Sequence, residues 1–545
     1  MDPIKDDSVG ANSDESRLIS LGHKPELKRT YNFWSCEAFV LKSIEKMLIG
    51  VDSDGIPNYD FMFMELQYRH VLLYIHPGWT SMSGVGDRGG HYWANLGDGI
   101  FGRILFHLAN GWRSTVLYSV APERSRRFLS YLVGWCVLVG EISTSSSCAL
   151  NSAEIVAALV EIIHPEVHWE RYMTWLIYTG FLVAPALSNL IPKYLPFLQL
   201  FGAFFNLSNA FIWAIVFLVL ADKNSAKFVF TDFINTSGWS SKGWVFILSM
   251  YVPIYGLYGT DGVMHLVEEM KNASRDAPRV MIWSMVWAGV TAWLSAIVMC
   301  FTVGPRWEEY LQETSSYVAW FMDALDSTYG GGIWCAVMMM GLNYLIIVNM
   351  NTAGSRLAWS MARDRAFPFS DYFAQVNKRF TMPLRAMIGF IVLNLLAGLL
   401  VLGSNLAFYA IISGGGVTLQ VSYCIPILCV VLKGRQYLPP RPHFDLGRWG
   451  YPVNIAALLW SIIVVLFYIF PQYVPVVGAI ENMNWAIAIL AAVVLFGGVY
   501  WAVKGRHEYL VCSNSILDDN VVIHGQVMVM GRDAAATFGQ PKREK

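Results

Sequence analysis

The sequence predicts an all-α polytopic membrane protein, a helical bundle, from three observations. Of 545 residues, 55% are hydrophobic, 14% aromatic and only 14% charged, against roughly 25% charged in soluble domains. Apolar runs about 20 residues long recur from Phe128 to Lys504 with short polar gaps, and about 20 helical residues cross a bilayer core. These runs are uninterrupted, whereas barrel strands are segments of about ten residues with alternating polarity.

Ten segments qualify as spans: 128–161, 172–191, 196–220, 244–270, 280–303, 332–360, 383–402, 406–432, 452–470 and 485–504. Cytoplasmic loops carry the lysine and arginine excess. Alternate connections hold Arg124, Arg126 and Arg127, then Lys193, then Lys271, Arg275 and Arg279, then Arg363, Arg365 and Lys378, then Lys433 and Arg435. The opposite set is acidic or uncharged, as in Pro305–Gly330 and Pro471–Asn484. Both termini are therefore expected in the cytoplasm. Of the sequons at Asn206, Asn235 and Asn272, Asn235 falls in an outer loop; use there and chance occurrence both remain open.

Residues 1–20 read as a disordered cytoplasmic tail without the basic and apolar regions of a signal peptide. Residues 509–545 form a second cytoplasmic tail. A net charge of −1 excludes nucleic acid as a partner, since phosphate binding needs clustered basic residues. Six of the eight cysteines, from Cys136 to Cys429, sit in or beside apolar runs without metal-ligand spacing, and read as buried free thiols.

Residues 35–118 fit no ordinary span. Glu37, Lys42, Glu45, Lys46, Asp52, Asp54, Asp60, Glu65 and Arg69 interrupt every apolar run, and a charge at a helix centre costs about 2.5–3.5 kcal/mol on insertion scales. An even number of crossings must precede Phe128, so zero crossings here leave the later spans correctly oriented.

Candidate chemistry concentrates in the 244–270 span. It is apolar to Tyr255, then reads Gly256-Leu-Tyr-Gly259-Thr260-Asp261-Gly262, with His265, Glu268 and Glu269 following. Three glycines and an acid break a helix, and such breaks free backbone groups to bind a solute or coupling ion. A close helix crossing is the competing explanation. Glu268 and Glu269 read either as a gate or as a solvated charge cluster. His265-x-x-Glu268 lacks a second histidine, which argues against zinc; no metal, cofactor or catalytic residue is expected. Glu141, Ser143 and Thr144 in the first clear span, and Asn343 in the 332–360 span, either line a path or satisfy themselves within the bundle. Ser413-Gly-Gly-Gly416 is a further break or a packing site. No nucleophile–base pair or phosphate loop is present, so the chain is not read as an enzyme or ATP-driven pump.

Several motifs together resemble the fungal amino acid/choline/GABA permeases of the amino acid–polyamine–organocation superfamily. They are Leu21-Gly-His-Lys-Pro-Glu-Leu-Lys-Arg29, Phe33-Trp34, Val120-Ala-Pro-Glu, Phe230-Thr-Asp-Phe, Gly259-Thr-Asp-Gly262, Ser355-Arg-Leu-Ala-Trp-Ser-Met-Ala-Arg-Asp364, Phe444-x-Leu-Gly-Arg-Trp-Gly450 and Lys504-Gly-Arg-His-Glu508. The resemblance implies a LeuT-type inverted-repeat bundle of twelve helices and alternating access coupled to a proton or ion gradient. Its solute site lies between broken helices 1 and 6, assigning Gly256, Gly259, Thr260, Asp261 and Gly262 to binding. On this comparison 21–34 is the segment before helix 1, 35–118 replaces helices 1 and 2, and 119–508 is the permease body. The departure suggests a frameshift or misassigned exon boundary, and a chain that truly lacks helix 1 is expected to take up no solute.

The expected function is secondary active transport of an amino acid, GABA, choline or related small amine, with a proton or ion as coupling partner and the bilayer as surroundings. The expected location is the plasma membrane, with the vacuolar membrane as the alternative. A nontransporting sensor on the same fold and an inactive product of a damaged or misread gene are the competing readings.

Overall fold

The computed structural model describes residues 27–44 and 121–509 with short gaps (28, 123, 231–234, 236, 250–253, 256–257, 311–312, 314, 378, 438–446 and 477–482), together with the backbone of 520–523 and 526–529. The main helices are α1 (Phe33–Ile44), α2 (Arg126–Ile163), α3 (Arg171–Asn189), α4 (Leu195–Leu220), α5 (Lys242–Ser249), α6 (Gly262–His265), α7 (Ala273–Thr302), α8 (Ser316–Ala324), α9 (Thr328–Arg363), α10 (Leu384–Gly398), α11 (Asn405–Lys433), α12 (Gly450–Phe467) and α13 (Ala486–Tyr500). Two tail strands, β1 (Asn520–Ile523) and β2 (Gln526–Val529), pair antiparallel with Asn520 opposite Val529.

Among the described residues, eight helices are long and apolar enough to cross a membrane. Of the ten spans read from the sequence, α3 and the interrupted segment from α5 to Met270 fall outside those eight. Helix starts follow local chemistry. Ser327 caps α9 by accepting from the Gly330 N–H, and Ser404 caps α11 by accepting from the Ala407 N–H, each satisfying an amide that the first helical turn leaves over.

Burial separates a centre from a periphery. Of the apolar stretch of α11, 67% is buried, against 11% for α13. The central helices α2, α9 and α11 carry many of the buried polar groups, and several such groups in the bundle are matched across helices. Ser146 Oγ donates to Asn394 Oδ1 at 3.0 Å, Tyr178 Oη donates to the Asn394 carbonyl at 2.8 Å, and Asn343 Nδ2 donates to Asn151 Oδ1 at 2.8 Å. A bilayer offers no water to such groups, so they must be matched inside the bundle. The described cysteines are free thiols, buried except for half-buried Cys424.

Glycine lets α2 and α11 pack closely. A Cβ on Gly140 of α2 would strike the Leu419 side chain, and one on Gly415 of α11 would strike Ser143. Ser143 Oγ also donates to the Ile411 carbonyl at 2.8 Å. Gly414 and Gly415 lie within the continuous helix α11, so the glycine run there serves packing rather than a helix break. Overpacking costs about 1–3 kcal/mol or more; Gly415→Val is expected to lower the thermal unfolding temperature of the detergent-solubilised protein, while Ser413→Ala leaves it near the wild-type value.

The 12-residue helix α1 crosses the boundary at residue 35 and is packed into the bundle, against α4, α6, α7 and α9. Ser35, Cys36, Glu37, Ala38, Phe39 and Val40 are all buried. Counting charges measures the cost of facing lipid. Glu37 is enclosed by protein rather than lipid, where a charge stays costly unless it is matched. Residues 45–118 lie outside the described residues.

Candidate functional site at the interrupted helix

α5 is described to Ser249, Ile254 and Tyr255 are again helical, and after the non-helical stretch Tyr258–Gly259 come a single turn, α6, and a 3-10 turn at Val267–Glu269. Gly259 has φ +120°, a conformation that side chains other than glycine rarely adopt. Thr260, Asp261, Gly262, Val263 and His265 are buried immediately after it. Gly256 lies outside the described residues.

The break is enclosed on three sides. A Cβ on Gly262 would lie 2.8 Å from Phe39 Cε1 of α1, so the missing side chain admits the ring. Asn349 Nδ2 of α9 donates to the Phe39 carbonyl at 2.9 Å, which holds α1 in place. Tyr258 Oη donates to Gln420 Oε1 of α11 at 2.6 Å, and its ring packs edge-on against Tyr255 and Tyr423.

From α2, Glu141 reaches the same region. Its carboxylate, the Asp261 carboxylate and the His265 imidazole each present an atom within 4.8 Å of the others, and His265 Nε2 lies 3.9 Å from Glu141 Oε1. The other residues expected on a path are placed differently. Ser143 joins α2 to α11, Thr144 accepts from Ser147 Oγ through its carbonyl, and Asn343 is tied to Asn151 and Ser152.

At the basic-loop end the chain is closed by charge. Arg356 Nε donates to Glu269 Oε1 at 2.7 Å with both side chains buried, and Arg363 Nη2 donates to Glu268 Oε1 at 3.0 Å while stacking on Trp359. Two backbone hydrogen bonds tie the chain before α1 to the same turn: Tyr31 N–H to the Glu269 carbonyl and Lys271 N–H to the Tyr31 carbonyl. Glu268 and Glu269 are thus paired rather than solvated. Sequence reasoning missed Tyr31, Phe39, Arg356 and Gln420. Arg356 carried a usable signal, because an arginine deep in an apolar run requires a partner.

Residues 96–494 match the amino acid permease family. The match starts ahead of Val120, where the motif resemblance resumes. Among related proteins, the choline transporter of Saccharomyces cerevisiae is 28% identical over 395 residues, covering 72% of this chain and 69% of that one. Amino-acid permease 2 of Neurospora crassa is 26% identical over 507 residues, covering 91% and 88%. A manganese transporter of Eremococcus coleocola aligns in structure with a TM-score of 0.48 at 11% identity, covering 87% of this chain and 94% of that one. The chain is a multi-pass membrane transporter, not an enzyme, and belongs to the amino acid permease family of the amino acid–polyamine–organocation superfamily.

Proposed function

We propose that this chain carries out secondary active transport of a small amino acid, GABA, choline or a related amine, coupled to a proton or ion gradient. The observation that carries the reading is the interrupted helix at Gly259–Gly262, enclosed by α1, α2 and α11 with Asp261 buried at its centre. Unsatisfied backbone groups at such a break suit a carboxylate or a cation, and a buried acid beside aromatic rings suits an ammonium group. Gly256, Gly259, Thr260, Asp261 and Gly262 are assigned to the solute, with Tyr258 and Phe39 as neighbours.

The presence of α1 favours uptake by this chain, against the expectation that a missing first helix abolishes it. Orientation follows the loop charges: the Arg356–Glu269 and Arg363–Glu268 pairs close the cytoplasmic side, both termini are cytoplasmic, and the plasma membrane is the assigned location. Glu268 and Glu269 then act as gate residues. The purified chain in proteoliposomes is expected to accumulate labelled choline or GABA against its gradient, and Asp261→Ala to abolish this. Solute binding without uptake would instead establish a nontransporting sensor; neither binding nor uptake would establish an inactive product.

A further inference from the structure

Between α5 and α12 lies a cleft of about 370 Å³, counting the part open to its surroundings. Ile247 and Ile254 line one wall, and Trp460, Ile463 and Phe467 line the other. The last three recur at the three- and four-residue spacing that places side chains on one helix face. Past the end of α12 the lining turns polar, with Gln472 and Asn484. We propose that this cleft binds a membrane sterol, its rings against α12 and its hydroxyl at Gln472.

Hydrogen bonds hold the two walls together at the polar end. The chain after α12 is tied to the chain before α5: the Val474 N–H donates to the Ser237 carbonyl at 2.9 Å, and Trp239 Nε1 donates to the Pro471 carbonyl at 3.3 Å. Asn484 Nδ2 donates to the Tyr468 carbonyl at 2.6 Å and to the Phe470 carbonyl at 3.2 Å, which fixes the connection from α12 to α13. The Trp244 ring of α5 packs edge-on against Phe467 and Phe470, with centroids 5.3 and 5.1 Å away. A site formed in advance spares its ligand the cost of ordering it.

Access is from the bilayer. α12 belongs to the helices long and apolar enough to cross a membrane. Ile463 and Phe470 line the cleft and are themselves exposed, as are Leu459, Ile462 and Leu466 of the same stretch. The cleft is therefore continuous with the apolar surface that this membrane protein presents to lipid, and a bilayer component needs no aqueous route to reach it.

Chemistry selects among bilayer components. Among the described residues no charged side chain lines the cleft, so a phosphate or ammonium headgroup would find no counter-charge there. The Gln472 amide is a neutral donor and acceptor, which matches a single hydroxyl. Aromatic and branched aliphatic side chains make up the rest of the lining. A fused ring system fills such a space with few rotatable bonds to freeze, whereas an acyl chain loses freedom along its whole length. Ile254 also lies shortly ahead of the break at Gly259, so an occupant braces the first half of the interrupted helix against α12.

The test uses the full-length chain in lipid nanodiscs with a diazirine-bearing sterol, photolysed and mapped by mass spectrometry. Labelling is expected within 247–254 and 460–472, displaced by excess unlabelled sterol and not by excess phosphatidylcholine. Ile247→Trp, which fills the cleft, is expected to lower this labelling about tenfold, and Gln472→Leu about two- to tenfold through the loss of one neutral hydrogen bond. Leu459→Trp, on the exposed face of α12 outside the cleft, is expected to leave it unchanged. Each variant is first checked for monodispersity and thermal stability; if Ile247→Trp fails that check, Gln472→Leu decides alone. Labelling spread evenly over α4 and α13 overturns the proposal. So does labelling of the cleft that survives in a well-folded Ile247→Trp or Gln472→Leu, or that phosphatidylcholine displaces as well as sterol does. None of these readouts depends on transport.

Discussion

Replacing Arg356 with alanine is expected to destabilise the chain by about 3–5 kcal/mol, because it leaves the buried Glu269 carboxylate without its counter-charge. The pair is formed at 2.7 Å with both side chains almost wholly enclosed, so little water reaches the orphaned acid. The loss is a desolvation penalty as much as a missing attraction, which gives the test its discrimination. Arg356→Met combined with Glu269→Leu removes both charges and is expected to recover most of the stability that either single variant loses. Thermal unfolding of the solubilised protein reads the first effect. The double variant is also expected to transport poorly, because the Tyr31 and Lys271 backbone contacts would hold the turn without a charge pair able to open and re-form. Recovery of both stability and uptake in the double variant would show the pair to be structural only.

The second large effect is expected at Gly262. Valine there would place its Cβ 2.8 Å from Phe39 Cε1, with two further methyl groups to house. Overpacking of about 1–3 kcal/mol, expressed in the binding-competent state, corresponds to about 5–150-fold weaker solute binding. Phe39→Ala clears the space and is expected to restore part of the affinity when combined with Gly262→Val. Equilibrium binding of labelled choline or GABA to the purified variants measures both. If Gly262→Val binds as tightly as the wild type, α1 does not form a wall of the site. The Phe39→Ala rescue separates a local clash from general misfolding, since a misfolded chain would not regain binding.

Some of this was legible in the residues themselves. Uninterrupted apolar runs and sparse charge define the spans, because a bilayer demands about 20 apolar residues per crossing and imposes that demand locally. Glycine density beside Asp261 marks the interrupted helix for a similar reason, since glycine disfavours a helix wherever it falls. The polar residues were ambiguous in sequence. Asn343 and Glu141 are equally costly in an apolar run, yet Asn343 is tied to Asn151 and Ser152 while Glu141 stands beside Asp261 and His265. What separates them is the identity of partners 120 or more positions away in the chain, which local pattern does not contain.

The sequence by itself determined that the chain is a helical membrane bundle, where it is interrupted, and which motifs place it among permeases. Only the tertiary structure decided that α1 packs among α4, α6, α7 and α9, that Glu268 and Glu269 are matched by Arg363 and Arg356, and that three titratable groups meet between α2 and the break. The physical reason is that hydrophobicity acts residue by residue against the solvent, whereas the cost of a buried charge depends on what encloses it, and enclosure exists only once the helices have packed.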